Sequence, residues 1–133
     1  MKPQKTNKSH SVGEFGERYA ARYLRLHGYT VKERNYRAGH HEIDIIAANF
    51  TTIAFVEVKT RSYSPEEVEL LPPPRVAVRA DKQRFTRMAA RQYLYEQRTS
   101  KKPRMDVIEI WVEASESGKR PRVLKLHHMK GAY

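Results

Sequence analysis

EIDIIAANFTTIAFVEVKTR, residues 42–61, contains two runs rich in isoleucine, valine and phenylalanine on either side of a short polar turn. Runs of this kind, separated by turn-forming residues, are typical of a β-hairpin. We predict its strands over residues 42–48 and 52–61. Because side chains alternate between the two faces of a strand, Asp44, Glu57 and Lys59 should share one face, with Ile43 on the other.

A turn centred between Phe50 and Thr51 sets the register of this hairpin. It places Asp44 opposite Glu57 and Glu42 opposite Lys59. Directly opposed residues have Cβ atoms about 5 Å apart, so two carboxylates there can bind one divalent ion and should repel each other without it. The expected cofactor is Mg²⁺ or Mn²⁺, since hard ions take oxygen ligands and leave room for a phosphate oxygen and water.

The other charged groups near the hairpin leave alternatives open. Lys59 could orient or activate water, or stabilise negative charge on phosphorus. Glu17 lies at the edge of the apolar stripe of the first helix, where it could complete the metal shell. Glu42 is either a ligand or only the partner of Lys59. An acidic and basic strand face is also typical of a solvated surface with cross-strand ion pairs.

The whole chain has 133 residues, enough for one domain with one core. We predict a flexible basic tail over residues 1–10 and a single domain over residues 11–133. Ser11 and Glu14 resemble a capping box that begins a helix over residues 12–27. The predicted order is α-β-β-β-α-β-β, an α+β domain of the three-layer type with a mixed sheet flanked by helices. Residues 37–41, 62–80 and 115–121 are predicted to be connections.

The charge of the chain indicates a polyanionic partner. Lysine and arginine exceed the acids by 26 to 15, a formal net charge of +11, which favours nucleic acid, DNA first. The predicted nucleic-acid contacts are Arg37, His41, Arg61, Arg84 and Arg87. The pair His127 and His128 is predicted to be exposed. No apolar run indicates a membrane span and no secretory signal is evident, so we expect a cytoplasmic protein that does not bind a membrane. Without cysteine, carboxylates, histidines or carbonyls must hold any metal.

Four blocks of the sequence resemble the YraN-like bacterial proteins, which are regarded as endonuclease-like members of the PD-(D/E)XK, or restriction-endonuclease-like, superfamily. The blocks are Gly13 to Glu17 with Ala20, Tyr23, Leu24, Gly28 and Tyr29; Asn35 with Glu42 to Ala47; Phe55 to Arg61; and Lys82 with Ala89, Ala90, Tyr93, Leu94 and Arg104 to Ile108. The second and third blocks are specific in combination.

This resemblance implies a restriction-endonuclease-like core with the order α-β-β-β-α-β. It implies that Asp44 takes the place of the superfamily aspartate, that Glu57 and Lys59 form the acid-x-lysine element, and that Lys82 is a secondary site residue. Glu17 would match a helix glutamate of archaeal Holliday-junction resolvases, which suggest a resolvase-like endonuclease acting on phosphodiesters. A homodimer would suit a two-fold symmetric junction.

Two other functions fit the same residues. A catalytically silent nucleic-acid-binding module would use the same basic surface and would bind without cleaving. An adaptor that docks on other DNA-processing proteins would have no affinity for nucleic acid of its own. Metal-dependent cleavage separates the first hypothesis from both alternatives.

Overall fold

The computed structural model describes residues 4–64, 66–67, 78–113 and 120–133, with side chains from residue 12 onward. It contains two helices and five strands in these residues. In chain order they are α1 (Gln4–Leu26), β1 (Thr30–Ala38), β2 (His41–Ala48), β3 (Thr52–Tyr63), α2 (Ala80–Gln97), β4 (Lys102–Glu113) and β5 (Val123–Met129). The order α-β-β-β-α-β-β and the α+β class are as the sequence predicts.

One mixed sheet organises the domain. Its strands lie in the order β1-β2-β3-β4-β5, and β3 and β4 are parallel whereas the other neighbours are antiparallel. A parallel pair needs a crossover connection, and α2 lies in the crossover between β3 and β4. The buried residues of α1 pack on one face of the sheet and those of α2 on the other. The three layers thus enclose two apolar cores. Neither described helix combines the length and apolar character that crossing a membrane requires.

The central hairpin has the predicted register. Ile45 faces Val56, and Ala48 faces Ile53 at the turn. The turn is closed by Asn49, whose Oδ1 accepts hydrogen bonds from the backbone N–H groups of Thr51 and Thr52 at 3.0 and 2.8 Å. An asparagine that bonds to the backbone two residues later pre-forms such a turn, which explains why local sequence sets this register.

The boundaries of three predicted elements were wrong. α1 does not begin at the capping box but at Gln4, because residues 4–11 contain no glycine or proline to stop it. The predicted loop over residues 37–41 is a tight turn, since β1 and β2 include Arg37 and His41 and leave only Gly39 and His40 between them. Gly39 has φ of 64°, which glycine adopts without strain.

The sequence predicts a second helix that Asp81 caps and that runs to about Gln97, whereas α2 begins at Ala80. Asp81 lies in its first turn, and the capping position falls on Arg79, which makes no side-chain cap. Residues 65, 68–77 and 114–119 lie outside the described residues, and so do most of the predicted 62–80 and 115–121 connections.

α1 approaches β3 most closely at Gly16. A Cβ atom there would overlap Oγ1 of Thr60, and a threonine on a strand has little rotameric freedom to yield. We expect Gly16→Ala to lower the free energy of unfolding by about 1–3 kcal/mol, as overpacking does. Gly13→Ala on the same helix is the matched control, because nothing lies within 4 Å of its added Cβ. It should stabilise the protein by about 0.5–1 kcal/mol. Urea denaturation measures both, and equal changes in the two variants would contradict the close packing.

Candidate metal centre

Asp44 lies where β2 separates from β3. The ladder between the two strands ends at Ile45 and Val56, so the next predicted pair, Asp44 and Glu57, is not joined by it. Instead Oδ2 of Asp44 accepts the backbone N–H of Val58 at 2.8 Å. Burial raises the pKa of Asp44, and the nearby charge of Glu57 raises it further, against the hydrogen bond from Val58. The carboxylate is therefore held close to a second acid in a poorly solvated position.

Glu57 has one paired and one unpaired oxygen. Its side chain is 14% exposed, and Oε1 forms an ion pair with Nζ of Lys82 from α2. Oε2 is buried and has no hydrogen-bond partner. Burial acts to lower the pKa of Lys82, but the hydrogen bond and charge of Glu57 outweigh it and raise the pKa overall. The ammonium thus occupies one side of the carboxylate, and the other oxygen remains without a partner, which is costly for a buried acceptor.

The strand β1 contributes an asparagine that the sequence analysis assigned no role. Asn35 has φ of 53°, a left-handed conformation that asparagine tolerates better than most residues. Its neighbours Arg34 and Tyr36 pair with Ile45 and Ile43, so Asn35 stands beside Asp44 without pairing to it. With the amide nitrogen facing the acids, Nδ2 donates to Oε1 of both Glu17 and Glu42 at 3.0 Å.

The left-handed conformation of Asn35 accompanies a change in which residues of β2 point to each face of the sheet. Ile43 was predicted to lie with Ile45 but packs in the opposite core, beside α2. Strict alternation fails here because β2 leaves the β3 ladder at Ile45, next to the left-handed residue of β1. The predicted pairing of Glu42 with Lys59 is also wrong, because the ladder between β2 and β3 ends at Ile45 and Val56. Glu42 pairs with Arg37 on β1, and its Oε2 lies 3.8 Å from Nη2 of Arg37.

Glu17 reaches the same region from α1. Burial raises its pKa, and Asp44 adds to that effect, whereas the charge of Arg34 lowers it. Glu17 is thus held close enough to Asp44 for their charges to interact. In the described part of the chain, however, no three aspartate, glutamate or histidine side chains converge as a metal-ligating group.

The surroundings of Lys59 differ from those of its basic neighbours. It is half-buried on β3, two residues after Glu57, and the alternation of the strand places both on one face. Arg61 is paired with Glu109 of β4 at 2.9 Å. Lys82 is paired with Glu57. Lys59 forms no ion pair with any carboxylate that the structure describes, so its ammonium can contact a substrate anion.

A hollow of about 520 Å³ opens beside these groups. Asp44 and Lys82 line it, together with Thr86. His41 and Phe85 also line it, and their rings stack with centroids 4.3 Å apart. The predicted contact residue His41 is therefore held in place at the rim, within reach of a ligand that enters the hollow.

The remaining predicted contact residues lie on α2, β1 and β3. Arg84 stands over the ring of Phe85 at 5.4 Å and Arg87 over that of Tyr133 at 5.6 Å. Arg37 is exposed, and Arg61 is about half exposed although it pairs with Glu109. All four keep exposed positive charge, but the structure gives each a protein contact that the sequence did not indicate.

Asp44 and Glu57 suit an ion that needs few protein ligands. Mg²⁺ is commonly bound by one or two carboxylates with several waters and substrate oxygens. The buried, partnerless Oε2 of Glu57 is an acceptor that such an ion would satisfy. Because no three acids or histidines of the described residues converge, the role of Glu17 as a third ligand stays a prediction.

A fully buried acid on β4 lies in a separate hydrogen-bond network. Asp106 is fully buried on β4 and accepts two hydrogen bonds from Arg104 at 2.8 Å, one from the backbone of Gly131, and contacts Nε2 of His128 at 2.8 Å. Burial acts to raise its pKa, but the bonds from His128 and Arg104 outweigh it and hold the pKa below its ordinary value. The prediction that His128 is exposed was wrong, because its side chain is 4% exposed.

The signal for this network was an aspartate in an apolar strand. Asp106 follows Met105 and precedes Val107, a position where a charge must be paired. Arg104 lies two residues earlier on the same strand, but His128 of β5 and Gly131 of the turn beyond it are partners that local pattern does not bring together.

Comparisons with known proteins give one consistent match. Residues 16–110 match the model of the uncharacterised protein family UPF0102, a range that includes Glu17, Asp44, Glu57, Lys59 and Lys82. A UPF0102 protein of Chlorobium phaeobacteroides is 44% identical over 106 residues, 79% of this chain and 80% of that protein. Others are 40% identical in Geobacter metallireducens, over 92% of both chains, and 38% identical in Chlorobium chlorochromatii, over 96% of this chain and 94% of that protein.

Proposed function

We propose that this chain, which belongs to the uncharacterised protein family UPF0102, is a divalent-metal-dependent endonuclease that hydrolyses phosphodiester bonds of nucleic acid, DNA foremost. The observation that supports this most is the pair Asp44 and Glu57 at the point where β2 and β3 separate. One of their oxygens is buried without a partner. A protein retains such an arrangement at a cost in stability, and costs of this kind concentrate at functional sites.

In the proposed mechanism Asp44 and Glu57 would hold Mg²⁺ or Mn²⁺. A bound ion of this kind stabilises the negative charge that develops on a phosphodiester under attack by water. Asp44 is fixed for this role by the backbone N–H of Val58, so its carboxylate needs no reorganisation.

Lys59 acts on the phosphodiester itself. Its ammonium has no carboxylate partner among the described residues and lies on the face of β3 that holds Glu57. It orients the scissile phosphate and adds positive charge where the transition state is most negative. Asn35 positions Glu17 and Glu42 at the edge of the site, which keeps additional negative charge close to the ion.

The basic surface supplies affinity for the nucleic acid. The net charge of +11 favours a polyanion at long range. His41 lines the hollow, Arg84 stands over the ring of Phe85, which also lines it, and Arg87, farther along α2, stands over Tyr133. Contacts of this kind position a strand without reading its sequence. The cytoplasm is the proposed setting, and a homodimer would allow two such sites to act on a junction.

Cleavage of end-labelled DNA tests this function. Branched, single-stranded and duplex DNA are incubated with the full chain in Mg²⁺, in Mn²⁺ and in EDTA. We expect cleavage of at least one substrate with the divalent ions and none in EDTA. Intact substrates in all conditions, at protein concentrations that bind DNA, would contradict the proposal.

A silent nucleic-acid-binding module is the second candidate. It is favoured by the pairing of Lys82 with Glu57, which neutralises one carboxylate without metal, and by the lack of a third ligand in the described residues. It predicts binding that weakens steeply with salt and no cleavage with any ion.

The Lys82 ion pair provides a separate prediction. Lys82 competes with a metal ion for Glu57, and a partly exposed pair contributes up to about 1 kcal/mol. We expect Lys82→Met to raise Mn²⁺ affinity by up to about fivefold, measured by calorimetry. Lys32→Met is the matched control, because Lys32 is exposed on β1 and should leave the affinity unchanged. Weaker Mn²⁺ binding in Lys82→Met than in the control would show that Lys82 supports the site and does not compete for it.

A further inference from the structure

A second groove runs along α2 next to the catalytic hollow. Its volume is about 430 Å³, within the range of small-molecule sites. Apolar side chains of Leu94 and Met105 form part of its lining. Arg87, Arg91 and Tyr133 stand around them. The groove therefore combines an apolar surface, an aromatic ring and cations.

Two of its arginines have charge available for a ligand. Arg104 also lines the groove but is committed to Asp106 and Tyr29. Arg87 and Arg91 form no ion pair with any carboxylate of the described residues. They are four residues apart on one helix, where like charges repel each other and destabilise the helix. An anion placed between them would remove that repulsion and gain charge-assisted hydrogen bonds.

The shape of the groove selects the kind of anion. A bare phosphate would leave Leu94 and the part of the Tyr133 ring that Arg87 does not cover without a contact. A nucleotide has both parts that the groove offers to contact, an aromatic base and a phosphate. Bases stack on aromatic side chains without regard to sequence.

The position of the groove links it to the catalytic hollow. Thr86 lines the hollow and Tyr133 lines the groove, and the two side chains are close enough to interact. Along α2, Thr86 at the hollow and Ala90 at the groove are about one helical turn apart on the same side of the helix, about 6 Å at the helical rise. A short strand of nucleic acid can therefore contact both.

From this arrangement we propose that the groove binds one unpaired nucleotide of a nucleic-acid strand, with its base on the apolar lining and Tyr133 and its phosphate between Arg87 and Arg91. A base inside a duplex is paired and stacked, so it cannot enter without being extruded. The inference rests on the proposed function for its substrate, and it specifies that substrate as single-stranded or locally unpaired.

Binding without cleavage tests the groove. Fluorescence anisotropy with a labelled thymidine oligonucleotide of about ten residues, a length that one compact domain can cover, is measured in EDTA. We expect Arg91→Ala to weaken binding about tenfold or more, the loss typical of a hydrogen bond to a charged group. Tyr133→Leu should weaken it by a similar factor through lost stacking. Arg22→Ala, an exposed helix arginine on α1 across the sheet, is the matched control and should have a much smaller effect.

Duplex DNA of the same length and free thymidine monophosphate complete the experiment. For the duplex, Arg91→Ala should weaken binding no more than Arg22→Ala does. Binding of the nucleotide in the groove would be contradicted if Arg91→Ala lost affinity equally for single strand and duplex. It would also be contradicted if Arg91→Ala bound the oligonucleotide as tightly as the control variant does. If free thymidine monophosphate competes as tightly as the oligonucleotide, the groove binds single nucleotides, and the proposal that its nucleotide belongs to a strand is overturned. Because EDTA prevents metal-dependent cleavage, normal groove binding together with no cleavage in Mn²⁺ would overturn the proposed function alone.

Discussion

Asp44→Asn should abolish metal-dependent cleavage while leaving the protein folded. The asparagine carbonyl can still accept the N–H of Val58, but the variant loses a charge that binds the ion. Loss of several kcal/mol of transition-state stabilisation lowers the rate by more than about 10²-fold. Cleavage of end-labelled DNA in Mn²⁺ measures it. Glu33→Gln, which removes the charge of an exposed strand carboxylate outside the hollow, is the control and should cleave at the normal rate.

Asp44→Asn should also be more stable than the native protein at neutral pH. The raised pKa of Asp44 means that the folded chain holds this proton more tightly than the unfolded chain. The charged form therefore costs stability above that pKa, and the cost disappears as the pH falls below the ordinary aspartate value. Relieving one unfavourable group typically adds about 0.5–2 kcal/mol. A variant that cleaves DNA normally, or that is inactive only because it unfolds, would contradict the proposed role.

Asp106→Ala should lower the free energy of unfolding by about 3–5 kcal/mol, the cost of removing one partner from a buried ion pair. The change leaves the guanidinium of Arg104, His128 and the N–H of Gly131 without their acceptor. Urea denaturation at neutral pH measures the loss. Glu33→Ala, on the exposed surface of β1, should change the same quantity by no more than about 0.5 kcal/mol.

The contribution of Asp106 should depend on pH. Its pKa is lowered in the folded state, so its stabilisation is fully present above the ordinary aspartate pKa of about 3.9. That stabilisation is lost as the pH falls through the folded value. The difference between the native protein and Asp106→Ala should therefore shrink in acid. A constant difference over this range, or a difference below about 0.5 kcal/mol at neutral pH, would show that the network does not stabilise the fold.

The central hairpin could be predicted because its determinants are local. Alternating apolar residues fixed the strands, and Asn49 and its neighbours fixed the turn, so the pairing of Ile45 with Val56 followed. The same information brought Asp44 and Glu57 to adjacent positions. Their approach to one another depends on a few residues of sequence, which is why sequence alone could predict the centre of the candidate site.

The surroundings of the site could not be predicted because they depend on contacts between distant segments. The positive φ of Asn35 and its bonds to Glu17 and Glu42 require β1, α1 and β2 to be in place. The ion pair of Lys82 with Glu57 requires the crossover helix. Strict alternation misplaced Ile43 for the same reason, since it holds only while a strand stays in its ladder.

The hydrogen-bond network around Asp106 also depends on contacts between distant segments. A pair of histidines near the end of a chain is usually exposed, and His127 is. His128 is buried because Asp106, which lies 22 residues earlier on the neighbouring strand, contacts its ring nitrogen across the β4–β5 pair. The cost of burying an unpaired aspartate predicts that some partner exists, but only the folded sheet shows which one.

Calorimetric titration of the full chain with Mn²⁺ tests the central claim most directly, because it addresses the carboxylate pair without assuming a substrate. We predict one binding site in the native protein, lost in Asp44→Ala and in Glu57→Gln, and retained in Glu33→Gln. No Mn²⁺ binding by the folded native protein, or equal binding in all three variants, would contradict a metal centre at Asp44 and Glu57.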